Sequence, residues 1–292
     1  MLERTGLYAE SWNVAWRFRK GTETLLSDKE TEFVIKKNSF RYWAADPFLF
    51  EYNREVYIFA ELYDYIHCRG SIGYCKWNGK KFGKWKQIIL EPYHLSYPYV
   101  FEKNGQVYIM PESGADKSLY LYHAVNFPEQ WEKEEILRRN VIYGDTTPFT
   151  WKNHNYALTY DVENENKYEL VLLDLEDSNK DYTLADIQNI NMRRPAGRML
   201  KIKKEYIRPA QKCVNDYGEG LIFYKCKCEQ GIYLEEDIEM IIPQNLKYSK
   251  SILLDGMHTY NTSKHFEVID LKTRRFNVLN FIFRIIGKIR RR

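Results

Sequence analysis

The 292-residue sequence contains no run of 18 uncharged apolar residues, so no helix in it is expected to span a bilayer. Its start, Met1-Leu2-Glu3-Arg4-Thr5-Gly6, lacks the apolar stretch of a secretory signal, and a cytosolic chain is expected. Cysteine is scarce and odd in number: Cys68, Cys75, Cys213, Cys226 and Cys228, with no Cys-x-x-Cys spacing. A disulfide framework or a zinc knuckle is therefore not indicated, and the five are read as reduced thiols. There is no Gly-Lys-Ser/Thr phosphate loop and no G-x-G-x-x-G after a strand, which excludes the nucleotide folds built on those motifs. His67, His123, His154 and His265 are scattered, so neither a metal nor a cofactor is expected. No Pro/Ser-rich stretch points to disorder, and 44% apolar residues with 24 Tyr and 15 Phe suffice for a sizeable core.

Acidic charge is missing from the C-terminal segment. From Lys272 to Arg292 there are eight basic residues and no acidic one, which leaves the rest of the chain slightly acidic. A body of that balance does not track phosphates, and nucleic-acid binding is not expected. Read as a helix, the tail places Val278, Leu279, Ile282, Ile285, Ile286 and Ile289 on one stripe, with Arg284, Lys288 and Arg291 opposite. Such an amphipathic basic helix suits an anionic membrane surface, with about 1 kcal/mol of attraction per charge; a terminal helix docked on the protein's own core or in a partner's groove is the alternative. The expectation is a body over residues 1–270 and a membrane-associating tail over 271–292, peripheral on the inner membrane face.

What the chain has in abundance is repetition. Asp46-Pro47-Phe48-Leu49-Phe50 followed by Val56-Tyr57-Ile58-Phe59-Ala60-Glu61 matches Tyr97-Pro98-Tyr99-Val100-Phe101 followed by Val107-Tyr108-Ile109-Met110-Pro111-Glu112. A third copy begins Thr147-Pro148-Phe149 and ends at Asp161, a fourth begins Arg194-Pro195-Ala196 and ends Arg208-Pro209-Ala210-Gln211, and a degenerate fifth runs from Met257 to Asp270. Each copy alternates aromatic or branched residues with others and turns at an Asn-containing tetrapeptide, the pattern of an antiparallel hairpin. Hairpin units at a period near 50 predict propeller blades. The fold class expected is all-β, a five-bladed β-propeller, its last blade closed by the N-terminal strand around Trp12–Phe18, with the basic C-terminal helix appended.

In such a blade the first strand starts, and the second ends, at the same face of the disc. Aligned on the prolines, the copies would ring one mouth of the central channel with Asp46, Tyr97, Thr147 and Arg194, and with Glu61, Glu112, Asp161 and Arg208. His94, Ser96, Asp145, Arg198, Gln211 and His258 fall nearby. Carboxylates facing arginines, with hydroxyls and aromatics between, suit a hydroxyl-rich ligand such as a sugar or nucleotide sugar. The same residues could instead tie neighbouring blades together.

These motifs, with Gly70-Ser71-Ile72-Gly73, Glu91-Pro92-Tyr93-His94-Leu95-Ser96-Tyr97-Pro98, Pro111-Glu112-Ser113, Arg194-Pro195-Ala196-Gly197-Arg198 and Gly256-Met257-His258-Thr259-Tyr260-Asn261, resemble the N-terminal propeller domain of plant glucosamine inositolphosphorylceramide transferases and its bacterial relatives. The resemblance implies work in surface polysaccharide or glycolipid synthesis. A more distant similarity is to the propellers of glycoside hydrolase family 43. It implies a general base at Asp46 and a pKa-tuning acid at Asp145; the fourth-blade acid of that family has arginines in its place here, and Glu112 is the best substitute. Asp46, Glu112 and Asp145 are thus the candidate catalytic residues. Glu61, His94, Ser96, Tyr97, Asp161, Arg194, Arg198, Arg208, Gln211 and His258 are the candidate substrate-binding residues. Glycosyl transfer to a membrane-linked acceptor is the first reading; a non-catalytic glycan or nucleotide-sugar binding module and a family 43-like hydrolase are the alternatives.

Overall fold

A computed structural model describes residues 8–162, 169–184, 192–229, 232–250 and 253–276. The chain opens with β1 (Tyr8–Phe18) and β2 (Val34–Ile35), then builds four sheets in sequence order. The first contains β3 (Tyr42–Tyr52), β4 (Glu55–Asp64), β5 (Arg69–Lys76) and β6 (Lys86–Ile89), and the second β7 (Ser96–Lys103), β8 (Gln106–Glu112), β9 (Ser118–Asn126) and β10 (Gln130–Arg139). The third holds β11 (Tyr143–Trp151), β12 (His154–Asp161), β13 (Glu169–Asp174) and β14 (Tyr182–Thr183), and the fourth β15 (Leu200–Ile202), β16 (Glu205–Lys212), β17 (Gly220–Glu229) and β18 (Ile232–Ile241). The fifth sheet joins both ends of the chain, in the order β19 (Tyr260–Thr262), β20 (Phe266–Phe276), β1, β2.

The molecule is an all-β five-bladed propeller. The β1–β20 register runs unbroken from Tyr8↔Phe276 to Phe18↔Phe266, closing the ring with backbone hydrogen bonds and leaving no seam between first and last blades. Apolar faces pack between blades: Phe48 and Tyr97, both without exposed surface, meet edge to face at 4.8 Å. Cys68, Cys75, Cys213 and Cys226 are free thiols.

Two expectations are adjusted by the strands. Leu271 to Phe276 belong to β20, and Lys272 is buried there, so the propeller extends past residue 270. The helical stripe expected from Val278 to Ile289 lies outside the described residues. The proline alignment is also two residues out of step in the third blade. In the first two blades the pairs Ala45↔Glu61 and Ser96↔Glu112 precede a one-residue bulge; the corresponding pair in the third is Gly144↔Tyr160. Asp145, not Thr147, is therefore the counterpart of Asp46. Tyr160 takes the position of Glu61, so Asp161, one residue along a strand of period two, points to the other side.

The bulges explain how polar groups reach the channel. Asp46, Tyr97 and Asp145 each adopt positive φ (51°, 46° and 52°), a conformation unusual outside glycine that must be held by its surroundings. In each case a carboxylate of the preceding blade accepts the freed amide. Asp46 N–H donates to Asp270 Oδ2 (3.0 Å), Tyr97 N–H to Asp46 Oδ2 (3.2 Å) and Asp145 N–H to Glu112 Oε2 (3.0 Å). Gln211 then donates to Asp145 Oδ2 (2.7 Å) from the fourth blade. Four successive blade junctions are thus linked through acidic side chains.

Candidate functional site

A cavity of about 210 Å³ opens at this end of the channel. Asp46, Glu61, His94, Ser96, Glu112, Asp145, Arg194 and His258 line it, so eight of the sequence-derived residues meet there. Its aromatic wall is Trp12, Trp43, Tyr63 and Tyr217. Trp43 and Tyr63 are cross-strand partners stacked nearly parallel at 4.7 Å, and Trp12 stacks on the His258 ring at 3.9 Å.

Asp46 is almost fully buried. Its Oδ1 accepts from the Thr259 hydroxyl (2.8 Å) and lies 3.5 Å from His258 Nδ1. Burial pushes its pKa up to about 6; the His258 charge opposes the shift, while Asp145 and Asp270 add to it. Asp270 is the firmer partner of His258, at 2.7 Å from Nδ1, and it also accepts the His258 and Thr259 amides. Burial alone would lower the His258 pKa, but Asp270 beside it raises it. The Asp270 pKa is lowered because His258 and these amides outweigh its own burial. Ligand atoms of Asp46, His258 and Asp270 lie within 4.8 Å of one another and could hold a cation, although they already satisfy each other.

Across the cavity, Arg194 binds two acids at once: its Nε reaches Asp145 Oδ2 and its Nη2 lies 3.2 Å from Glu112 Oε2. The guanidinium also faces the Tyr160 and Tyr217 rings at 5.7 and 5.6 Å. Burial pushes Asp145 up to about 6, with Arg194 opposing.

Glu61 differs from these carboxyls. It is buried, its Oε1 has no hydrogen-bond partner among the described residues, and it forms a close pair with His94 Nε2 at 3.3 Å. His94 Nδ1 accepts the Gly70 amide (2.9 Å), which places the neutral ring's proton on Nε2, toward Glu61. Burial lowers the His94 pKa to about 4, so the ring supplies no charge. Burial first, then the charges of Asp46 and Glu112, raise Glu61 well above the ordinary carboxylate range. Burial thus favours the neutral form of the Glu61 carboxyl.

The remaining candidates lie elsewhere. Tyr97 is fully buried beneath the cavity, its hydroxyl between Thr147 Oγ1 (2.7 Å) and the Gly197 amide (2.6 Å). Gln211 is buried behind Asp145. Arg198 donates to the Val100 carbonyl and lies over Tyr99 at 4.4 Å. Arg208 is wholly buried on Glu235 (2.6 Å) and the Arg193 carbonyl (2.8 Å). Neither arginine lines the cavity. Asp270, Trp12, Trp43, Tyr63 and Tyr217 were not anticipated. Asp270 ends the fifth hairpin, so the rule that selected Glu61 and Glu112 would have found it.

Fold and cavity together define a five-bladed propeller with an acid- and aromatic-lined mouth. The chain belongs to the family described as "Glucosamine inositolphosphorylceramide transferase 1, N-terminal", whose profile matches residues 31–276. It is 38% identical over 105 residues to glucosamine inositolphosphorylceramide transferase 1 of Arabidopsis thaliana, covering 35% of this chain and 14% of that protein. It is 26% identical over 194 residues to the protein of the same name from Oryza sativa subsp. indica, covering 63% and 26%. The chain thus spans about a quarter or less of these relatives. In fold it is similar to the catalytic domain of a Coprinopsis cinerea GH62 α-L-arabinofuranosidase (TM-score 0.61, 11% identity, 89% of this chain and 98% of that one). An α-L-arabinofuranosidase from Lactobacillus brevis is also similar (TM-score 0.55, 10% identity, 77% and 81%).

Proposed function

We propose that this protein transfers a glycosyl group from a nucleotide sugar to a hydroxyl of a membrane-linked acceptor, the acceptor oxygen bonding to the anomeric carbon as the bond from that carbon to the nucleotide's phosphate breaks and the nucleotide leaves. The observation that carries the reading is the convergence of Asp46, Glu61, Glu112 and Asp145, from three blades, on one small aromatic-walled cavity, in a chain whose family is named for glucosamine transfer. Asp46, with a pKa near 6, is suited to take the proton of the acceptor hydroxyl. Glu112 and Asp145, fixed by Arg194, supply negative charge where an oxocarbenium-like centre would develop. Glu61, whose neutral form burial favours, is suited to donate a hydrogen bond to a sugar oxygen.

The charge balance also bears on the ligand. Among the described residues a single arginine lines the cavity and two carboxylates already neutralise it, which favours hydroxyl or amino groups of a sugar over a phosphate there. The fourth blade brings Arg194, not an acid, to the mouth, and this disfavours plain family 43-like hydrolysis. One observation favours the alternative of a non-catalytic glycan-binding module: Asp46, Glu112, Asp145 and Asp270 each bridge a blade junction.

For residues 272–292 we propose peripheral attachment to the anionic inner membrane face from the cytoplasmic side. Lys272 is spent inside the propeller, so the attraction would come from Arg274 onward. Incubating the protein with nucleotide sugars and lipid-linked acceptors, read by mass spectrometry, tests the function. A hexosamine mass added to an acceptor is expected; binding of sugars with no product from any pair would favour the module.

A further inference from the structure

A second cavity, of about 300 Å³, adjoins the first. Arg194 and Tyr217 line both, so ligands in the two would meet across one guanidinium and one phenol ring. The far wall is the turn after β16, with Cys213, Val214, Asn215 and Asp216, opposite Tyr160 and Val162.

The turn is firmly built. Glu219 accepts the amides of Asn215 and Asp216, the latter at 2.6 Å, and pairs with Lys212. Lys272, itself 1% exposed, reaches across from β20 to the Asp216 carboxylate and the Tyr217 carbonyl, both at 2.8 Å. The Gly218 carbonyl accepts the Met257 amide at 2.8 Å. Gly218, at φ 64°, lies so close to Trp12 that an added Cβ would come within 2.8 Å of the indole.

Charges lining this cavity are compensated: Asp216 by Lys272, and Arg194 by Glu112 and Asp145. The uncharged lining is Tyr160, Tyr217, Cys213, Asn215 and two valines, with Val214 51% exposed and Tyr217 41% exposed. Uncharged amphiphilic walls of this kind match a polyhydroxylated ring, which offers hydroxyls at its edge and C–H groups on its faces.

We propose that this cavity is a second ligand subsite, taking an uncharged polyhydroxylated group that sits beside the sugar in the acid-lined cavity, with Arg194 and Tyr217 as their shared wall. The proposal rests on the reading of the first cavity as a sugar site.

The experiment uses the full chain, ¹⁵N-labelled, with glucosamine and with a disaccharide of glucosamine and an uncharged hexose as probes. The monosaccharide is expected to shift the indole signals of Trp12 and Trp43. The disaccharide is expected to shift the Asn215 to Tyr217 amides as well and to bind about tenfold more tightly by calorimetry. Val214→Trp, which fills the second cavity from an exposed position, should remove that tenfold and leave the monosaccharide affinity unchanged. Asn215→Trp is the second such variant should the first fold poorly. A disaccharide that leaves the 213–217 amides unmoved, or whose affinity neither substitution alters, overturns the subsite while the first cavity stands. Failure of both sugars to move Trp12 and Trp43 overturns the reading beneath it as well.

Discussion

Glu61 and Arg208 illustrate how little residue type alone decides. On the sequence both are charged residues ending a hairpin strand. In the structure Glu61 faces the cavity, whereas Arg208 turns inward to Glu235, which stands on a strand that sequence periodicity does not tie to it. The acids Asp46, Glu61 and Glu112 were legible because recurring at one register of a repeat is a property of the sequence. The orientations of Arg198 and Arg208 depend on the Val100 carbonyl of another blade and on Glu235 of the same sheet, contacts that no period encodes. Glu61 gives a prediction with a definite sign. Its folded-state pKa lies above the unfolded value of 4.5, so the stability carried by its proton is complete below that pH and is lost as pH rises through the folded pKa. Glu61→Gln, which cannot ionise, should therefore gain stability over the unsubstituted protein as pH rises from roughly 5 to 8, read from melting curves. A constant difference across that range would mean that Glu61 is ionised throughout.

At the scale of single elements, the bulged first strands present the acids. The proline period located these strands but misplaced the third by two residues, because Pro148 lies beyond the bulge whereas Pro47 and Pro98 lie within it. Hydrogen-bond pairing, not the proline, fixes register. The β5 strand shows how tightly the elements pack around Glu61. A Cβ on Gly70 would lie 2.5 Å from Glu61 Oε1 and 2.9 Å from the His94 ring. Gly70→Ala should cost about 1–3 kcal/mol in urea unfolding and displace His94, whose Nδ1 depends on the Gly70 amide. An alanine variant as stable as the parent, with the His94 resonances unchanged, would show that the strand yields more freely than these contacts allow.

Across the whole molecule, ring closure by β1 was readable because the fifth repeat lacked strands that the N-terminus could supply. Trp12 entered the site by the same route, which explains why no repeat pattern pointed to it. The eleven-residue β1–β20 register seals the propeller and carries Trp12 to the cavity. Removing residues 1–18 should abolish the cooperative thermal transition, and a sharp transition in the truncated chain would show that the other blades stand alone. Blades distant in sequence deliver acids to one mouth, and the proposed function makes that convergence catalytic. Its most direct measurement is acceptor glycosylation, followed by mass spectrometry, in Asp46→Asn and Glu112→Gln proteins whose folding is verified by near-ultraviolet circular dichroism. Both variants should stay folded and lose at least about a hundredfold in rate. Folded variants that glycosylate as fast as the parent would contradict that catalytic role.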